Sequence, residues 1–336
     1  MANDPGLAAD KCIYIEAVAG DGGSHQANGV WWLSPDIKLS GPTSGPDKAD
    51  PGEANNIEIT VRRRPDGRDC VLPPGTESIT VEVWAGNPSL VMTPDNLVST
   101  FKIAAVGTTP PVFNPGPTTV PLTWTPPSGL PPSDPQGPGH KCLIARCYPD
   151  PLIPSAINFF VPGDPHVAQR NLCVVPCGDG PGAARVPGPC GLEVRTMNPD
   201  LKREAAVVLR AAFDLKPAEH VRRVVLERLR RTPGFTRLAV APPRGLRLIL
   251  PDFPDARMRE GTGPAGCLGM LLGGGRAPRA ADYETRIKLR PGQITSLTFE
   301  ADLSGASFGD AYVFHLTQSG ADGRVQGGLT AVMLLV

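Results

Sequence analysis

Short runs of alternating apolar and polar residues make up most of this chain, and Pro, Gly, Asn and Asp separate one run from the next. The clearest runs are 57–61 (Ile-Glu-Ile-Thr-Val) and 79–84 (Ile-Thr-Val-Glu-Val-Trp). Strands that bury one face against a second sheet and expose the other have this period of two. The pattern therefore predicts a mainly β fold made of antiparallel strands rather than of βαβ units.

Further strands are predicted wherever the same pattern recurs between turn residues. In the first half these are 12–15, 29–32, 99–106, 118–124 and 141–146, and in the second half 192–194, 205–213, 236–241, 246–250, 285–289, 294–303, 311–317 and 328–336. The segments 108–117 and 126–139 are too rich in proline for a helix or a central strand. Seven glycines between 261 and 275 indicate a long loop.

The apolar period changes from two to that of a helix between residues 217 and 231. Four aliphatic residues of this segment fall on one helical stripe: Val221, Val224, Val225 and Leu229. Pro217 suits the first turn of a helix, and Gly234 follows shortly after its end. The segment is therefore predicted to be one amphipathic helix.

The length of 336 residues exceeds the usual range of one domain. About seven short strands, the content of an immunoglobulin-like sandwich, precede a segment dense in Gly and Pro. The sequence therefore predicts an immunoglobulin-like β-sandwich at 1–178, a linker at 179–190, and a second β-sandwich at 191–336 that carries the helix 217–231.

The chain ends on an apolar run, 331–336, which would promote aggregation if it were open to water. We expect this run to be a paired strand, either against 311–317 of the same chain or donated to a neighbouring subunit. The turn residues at 319–323 between the two runs favour a hairpin within the chain.

Composition and charge exclude several classes of function. Forty prolines and thirty-eight glycines still leave a 40% apolar fraction that can fill cores. Thirty-three basic residues balance thirty-three acidic ones, so neither nucleic acid nor an anionic membrane is an expected partner. No apolar run approaches the roughly 18 residues of a spanning helix, and residues 1–6 lack the pattern of a signal peptide. The cellular compartment stays open.

Eight cysteines are too dilute for a disulfide-stapled miniprotein. Only Cys173, Cys177 and Cys190 cluster, and they lack both the paired Cys-x2-Cys spacing and a local histidine, so buried thiols or one local disulfide are favoured over zinc. Cys142 is predicted to be buried in the sandwich core without a bridge, because the facing strand 57–61 has no cysteine.

Four segments of the first half carry a resemblance: Trp-Trp-Leu-Ser-Pro-Asp-Ile at 31–37, Asn-Asn-Ile at 55–57, Gly-His-Lys-Cys-Leu-Ile-Ala-Arg at 139–146 and Val-Ala-Gln-Arg-Asn-Leu at 167–172. With them, residues 12–175 resemble bacterial immunoglobulin-like modules of the cell-adhesion-related (CARDB) type. The resemblance implies a spacer or contact module within a larger assembly, which can sit outside cells or on a secreted or virus-like particle. Residues 289–293, 309–312 and 327–330 resemble a companion β-sandwich.

Two groups of residues are candidates for binding. Trp31 and Trp32 are adjacent, so one indole should face outward if their strand is regular and could serve as a ligand platform. The predicted helix is basic, and its arginines, above all Arg222, Arg223 and Arg230, could meet an acidic protein partner. The alternatives are packing for the tryptophans and a solvated face for the arginines.

No catalytic signature is visible in the sequence. The five histidines are scattered singly, no Gly-x-Ser-x-Gly elbow occurs, and the glycines before Arg276 lack the Lys-Ser/Thr of a P-loop. His315 is predicted to be a packed or rim residue of a strand. Neither a metal nor a cofactor is expected.

These observations favour a non-enzymatic structural or interaction protein, a β-sandwich subunit of a larger assembly. The expected partners are other protein subunits, including copies of the same chain. A carbohydrate or small-ligand module that uses an exposed tryptophan, and an enzyme with a loop-borne site, are the alternatives.

Overall fold

A computed structural model describes residues 12–25, 29–64, 78–93, 100–108, 116–150, 159, 161–178, 189–254, 256, 259–260 and 282–336. The chain divides into two compact units. The first comprises residues 1–87 and 92–171, and the second comprises 88–91 and 172–336. The predicted glycine-rich loop at 261–275, the glycines before Arg276 and most of the predicted linker lie outside the described residues.

The first unit is built from antiparallel strands. They are β1 (Ile13–Tyr14), β2 (Ile37–Gly41), β3 (Gly45–Pro46), β4 (Lys48–Ala49), β5 (Asn55–Arg63), β6 (Ser78–Gly86), β7 (Thr100–Thr108), β8 (Gly116–Trp124), β9 (Gly139–His140), β10 (Cys142–Asp150) and β11 (Val167–Arg170).

Two sheets of the first unit enclose one hydrophobic core. One sheet has β8 on one edge of β5 and both β1 and β2 on the other, with β3 beside β2. The second has the order β11-β10-β6-β7, and β4 pairs with β9 as a small separate ladder. Ile57 and Ile59 of the first sheet share the core with Val81 and Val83 of the second. Alternation along each strand therefore builds the sandwich that the sequence predicts.

The second unit contains ten strands and one helix among its described residues. They are β12 (Leu172–Cys177), β13 (Pro189–Met197), β14 (Ala205–Phe213), α1 (Glu219–Leu229), β15 (Arg237–Leu238), β16 (Gly245–Ile249), β17 (Arg259–Glu260), β18 (Asp282–Leu289), β19 (Ile294–Asp302), β20 (Asp310–Gly320) and β21 (Val325–Leu335).

The second unit also packs one sheet against another. The larger sheet has the order β12-β21-β20-β14-β18-β17, with β15 beside β20, and the smaller has the order β13-β19-β16. Phe299 of the smaller sheet meets Phe314 of the larger edge to face, with ring centroids 5.0 Å apart. Gln318 of the larger sheet donates to the Met197 carbonyl of the smaller at 2.8 Å. These contacts join the two sheets across a common interior.

The fold class predicted from the sequence is confirmed: the protein is mainly β, with antiparallel sandwiches and one helix inserted in the second half. The strand predicted at 29–32 is wrong, since that segment is irregular, and the strand predicted at 236–241 is present but shortened to Arg237–Leu238. The domain limits stay a prediction, and strand β12, which the predicted limits assign to the first domain, pairs in parallel with β21 of the second unit.

Cys177 and Cys190 form a local disulfide, one of the two arrangements favoured for this cluster, and Cys173 is buried outside that disulfide. The prediction that Cys142 is buried without a bridge is confirmed, but its assignment to the sandwich core is wrong. Leu143 and Cys147 are core residues. Alternation along β10 therefore turns Cys142 to the opposite face, where its thiol contacts the Asn171 side-chain oxygen.

Strand β21 is the most thoroughly enclosed strand of the second unit. It pairs with β20 on one edge and with β12 on the other, and residues 329–335 are at most 1% exposed. The hairpin predicted within the chain is therefore present.

Deleting residues 333–336 should unfold the second unit, because the deletion leaves gaps in the ladders on both edges of β21 and opens the interior. All four tryptophans belong to the first unit, so their fluorescence reports that unit alone. We expect the truncated chain to lose strand signal in far-UV circular dichroism while the tryptophan transition in urea is retained. Loss of the tryptophan transition as well would show that the units do not fold separately.

Candidate functional site

The exposed face of helix α1 brings together the arginines singled out in the sequence. Val221, Val224, Val225, Arg228 and Leu229 form its buried stripe. With 3.6 residues per turn, the opposite stripe consists of residues that are three or four apart. It is lined by Glu219, Arg222, Arg223, Leu226, Glu227 and Arg230, which we call the α1 stripe.

The charges of the α1 stripe have no partners within the described part of the chain. Neither a hydrogen bond nor an ion pair joins the guanidinium groups of Arg222, Arg223 and Arg230 to a described residue, although Glu219 and Glu227 are close along the helix. Three cations and two carboxylates thus face water on this side of the helix. An exposed charge that is not committed to a neighbour is available to a binding partner.

Arg228 shows the contrast within the same helix. It is 7% exposed, and its Nη1 donates to the Thr232 hydroxyl at 3.1 Å. Its position beside Val224 and Val225 on the inner stripe of the helix buries it. The helix therefore buries Arg228 and leaves Arg222, Arg223 and the adjoining Arg230 in solvent.

The prediction that one of the two adjacent indoles faces outward is wrong. Trp31 is 1% exposed and Trp32 is 2% exposed, and their rings meet edge to face at 5.6 Å. The alternation argument fails because this segment is irregular rather than a strand, and only Leu33 forms an isolated bridge with Arg170. Both rings pack inside the first unit, as do Trp84 and Trp124.

Several residues that carry the resemblance of the first half are buried polar links rather than surface groups. Arg62 donates from Nε and Nη2 to the two carboxylate oxygens of Asp36, at 2.9 Å and 2.7 Å. Arg170 donates to Asp47 at 3.0 Å and to the Ser34 carbonyl at 3.2 Å. Each arginine thereby joins a strand to a segment that lies outside it.

Asn55 and Lys141 make similar links with uncharged groups. The Asn55 amide donates to three carbonyl oxygens, including that of Trp124 at 3.0 Å, while its oxygen accepts from the Asp50 N–H at 2.7 Å. The Lys141 Nζ donates to the Asn87 side-chain oxygen at 2.6 Å. These contacts explain the resemblance motifs as requirements of the fold.

A second charged cluster covers the outer face of the sheet β11-β10-β6-β7. Glu82 accepts from Lys102 at 2.6 Å and from Arg146 Nε at 3.0 Å, and the guanidinium of Arg146 lies over the rings of Trp84 and Tyr148. Burial alone would raise the pKa of Glu82, but the hydrogen bonds and charges of Lys102 and Arg146 outweigh burial and lower it. Glu82 is therefore paired with both cations, and Arg146 also contacts two aromatic rings.

His315 sits in an arrangement that resembles a catalytic triad. Its Nε2 lies 2.9 Å from the Asp214 carboxylate and its Nδ1 lies 3.0 Å from the Thr330 hydroxyl. Thr330 is 0% exposed, however, so a substrate cannot reach the hydroxyl. The position supports the prediction that His315 is a packed residue of its strand.

Among the described residues, no three His, Cys, Asp or Glu side chains are grouped to hold a metal ion. In the same part of the chain, no helix has the length and apolarity required to cross a membrane.

Comparisons with known proteins give only distant likenesses. No family model and no curated protein matches the chain, so the resemblance to cell-adhesion-related modules stays a prediction. Similar solved structures include the collagen adhesin of S. aureus (7% identity, 89% of this chain and 92% of that chain, TM-score 0.22). Red sea bream transglutaminase is 8% identical, with 89% of this chain and 31% of that chain covered and a TM-score of 0.20. The BSP domain of a biofilm-associated protein is 6% identical, with 85% of this chain and 57% of that chain covered and a TM-score of 0.24. With TM-scores this low, these likenesses carry no argument.

Acid should weaken the first unit through Glu82. Because its folded pKa is lowered, the stabilisation is present above the ordinary pKa of 4.5 and is lost as the pH falls through the folded pKa. Glu82→Gln should cost about 3 kcal/mol at pH 7, because it leaves Arg146 buried without its carboxylate. Urea unfolding followed by tryptophan fluorescence should show a flatter pH dependence below 4.5 in the variant. Equal pH dependence in both proteins would contradict this role.

Proposed function

We propose that this protein is a non-enzymatic interaction protein, a β-sandwich subunit that docks other protein subunits through the α1 stripe. The observation that carries this proposal is the set of three exposed guanidinium groups, those of Arg222, Arg223 and Arg230, that lack partners among the described residues. Arginine is enriched at protein interfaces because its planar guanidinium pairs with carboxylates and its stem covers apolar surface. Leu226 supplies an apolar contact between the charges.

The contrast with the other arginines supports this choice. Arg62, Arg146 and Arg170 each hold a carboxylate of their own unit, so they have a structural task already. The three arginines of the stripe have none. Exposed charges on one helix face contribute little to stability, whereas they favour binding to a partner of complementary charge.

The alternatives have less support. A carbohydrate platform needs an exposed aromatic ring, and Trp31 and Trp32 are both buried. An enzyme needs a reactive group that its substrate can reach, and Thr330 beside His315 is enclosed.

The first test asks whether the arginines bind carboxylates at all. We expect a fluorescein-labelled deca-glutamate peptide to bind the full chain at low salt and to lose affinity as the salt concentration rises. A deca-lysine peptide with the same label should not bind. The variant Arg222→Gln/Arg223→Gln/Arg230→Gln should bind the acidic peptide about 3-fold to 150-fold more weakly, since each of the three exposed pairs contributes about 0.2–1 kcal/mol.

The matched control is Arg203→Gln/Arg247→Gln/Arg286→Gln, which removes three exposed arginines of the same unit and changes the net charge equally. If both triple variants lose affinity to the same extent, binding depends on net charge alone and the proposed role of α1 is wrong. Fluorescence anisotropy measures the affinities, and thermal melts by circular dichroism show that the variants remain folded.

A further inference from the structure

We infer that the partner of the α1 stripe is a second copy of this chain, bound through an antiparallel pair of α1 helices about a two-fold axis. This inference rests on the proposed function and names the partner of the same surface. It comes from the order of charges along the stripe, which is acidic at Glu219, basic at Arg222 and Arg223, acidic at Glu227 and basic at Arg230.

The order of charges along the stripe is complementary to the same order on a helix that runs in the opposite direction. Glu219 and Arg230 are equally far from the midpoint between Val224 and Val225, about 8 Å along the axis on either side at 1.5 Å per residue. When two antiparallel helices meet at that midpoint, each residue before it lies level with one after it on the second copy. Glu219 of one copy therefore lies opposite Arg230 of the other, where a carboxylate meets a guanidinium.

The inner residues of the stripe fit the same register. At about 100° per residue, Arg223 and Glu227 fall on one side of the centre line of the stripe, while Arg222 and Leu226 fall on the other side. A two-fold axis keeps each side facing itself, so Arg223 faces Glu227 of the second copy with an offset of about one residue's rise. On the other side, the aliphatic stem of Arg222 covers Leu226 of the second copy.

Two-fold symmetry repeats every contact. The interface would thus contain two Glu219–Arg230 pairs and two Arg223–Glu227 pairs, and each glutamate of the stripe would be neutralised. A uniformly acidic partner would pair with the arginines but would leave Glu219 and Glu227 facing carboxylates, which weakens its binding. Mixed charge in this order therefore favours a second copy over an acidic chain of unrelated sequence. Because the pairs are exposed and the helix is short, we expect a weak dimer.

Charge reversal within one chain tests the register. The wild-type chain should show concentration-dependent dimerisation in sedimentation equilibrium at tens of micromolar and above. Glu219→Arg or Arg230→Glu alone should weaken it at least tenfold, because each places two like-charged pairs across the axis. The double variant Glu219→Arg/Arg230→Glu restores opposite charges and should recover dimerisation to within about threefold of wild type.

A second pair of positions gives an independent check. Arg223→Glu and Glu227→Arg should each weaken the dimer, and the variant that carries both should recover it. Arg286→Glu, an exposed reversal on β18, should leave dimerisation unchanged. The inference is overturned if the wild-type chain stays monomeric up to a protein concentration of about 500 µM, at which even a weak dimer should form. So does failure of either double variant to recover.

The peptide assay separates this inference from the proposed function. Glu219→Arg makes the stripe more basic, so it should bind deca-glutamate more tightly than wild type while it dimerises more weakly. If the peptide binds but wild type never dimerises, the proposed function stands and the partner is another protein. If the peptide does not bind and wild type is monomeric, both are wrong.

Discussion

A buried carboxylate needs a cation or hydrogen-bond donors beside it, and the first unit depends on meeting this requirement where its strands give way to irregular chain. Asp36 and Asp47 lie in such stretches, and each is held by an arginine from a strand, Arg62 on β5 and Arg170 on β11. Asp47 has a left-handed backbone (φ 58°), and its N–H still donates to the Leu39 carbonyl at 2.9 Å. The polar links thereby attach the irregular segments to the sheets, and the apolar core between the sheets can remain free of charge.

The same residue type has two uses in this protein, and its surroundings decide which applies. The guanidinium of Arg146 is enclosed between Glu82 and aromatic rings, so its charge is paired within the fold. The guanidinium groups of the α1 stripe face water and form no ion pair with a described residue. A charge of the first kind maintains the structure when nothing binds, whereas a charge of the second kind has an effect only when another molecule arrives. This difference is the basis on which we propose an interaction role for the α1 stripe.

The repeat of apolar residues and the positions of turn residues were sufficient to predict the parts of the fold in which one face of a strand or helix is buried. Strand β14 and helix α1 fall within two residues of their predicted limits because alternation and helical spacing reflect burial directly. The outward-facing indole predicted at Trp31 and Trp32 is wrong because the backbone there is irregular, and the period of apolar residues does not reveal this. Cys142 was assigned to the wrong face because both faces of β10 are buried and alternation leaves no contrast there. The arginines of α1 were found from the sequence, but the order of charge that makes their stripe self-complementary matters only once the exposed face is known.

The edge strand β8 determines how this protein can associate. Among the described strands it pairs only with β5, and it carries exposed prolines at positions 117 and 121. Because proline has no N–H, both residues must turn their missing donor away from the β5 ladder, so the outer edge has lost two of the donors that an incoming strand would require. This edge cannot template continuous sheet from one molecule to the next. Pairing of one copy with another along β8 is therefore disfavoured, and this edge is protected from the backbone-driven aggregation to which open strands are prone.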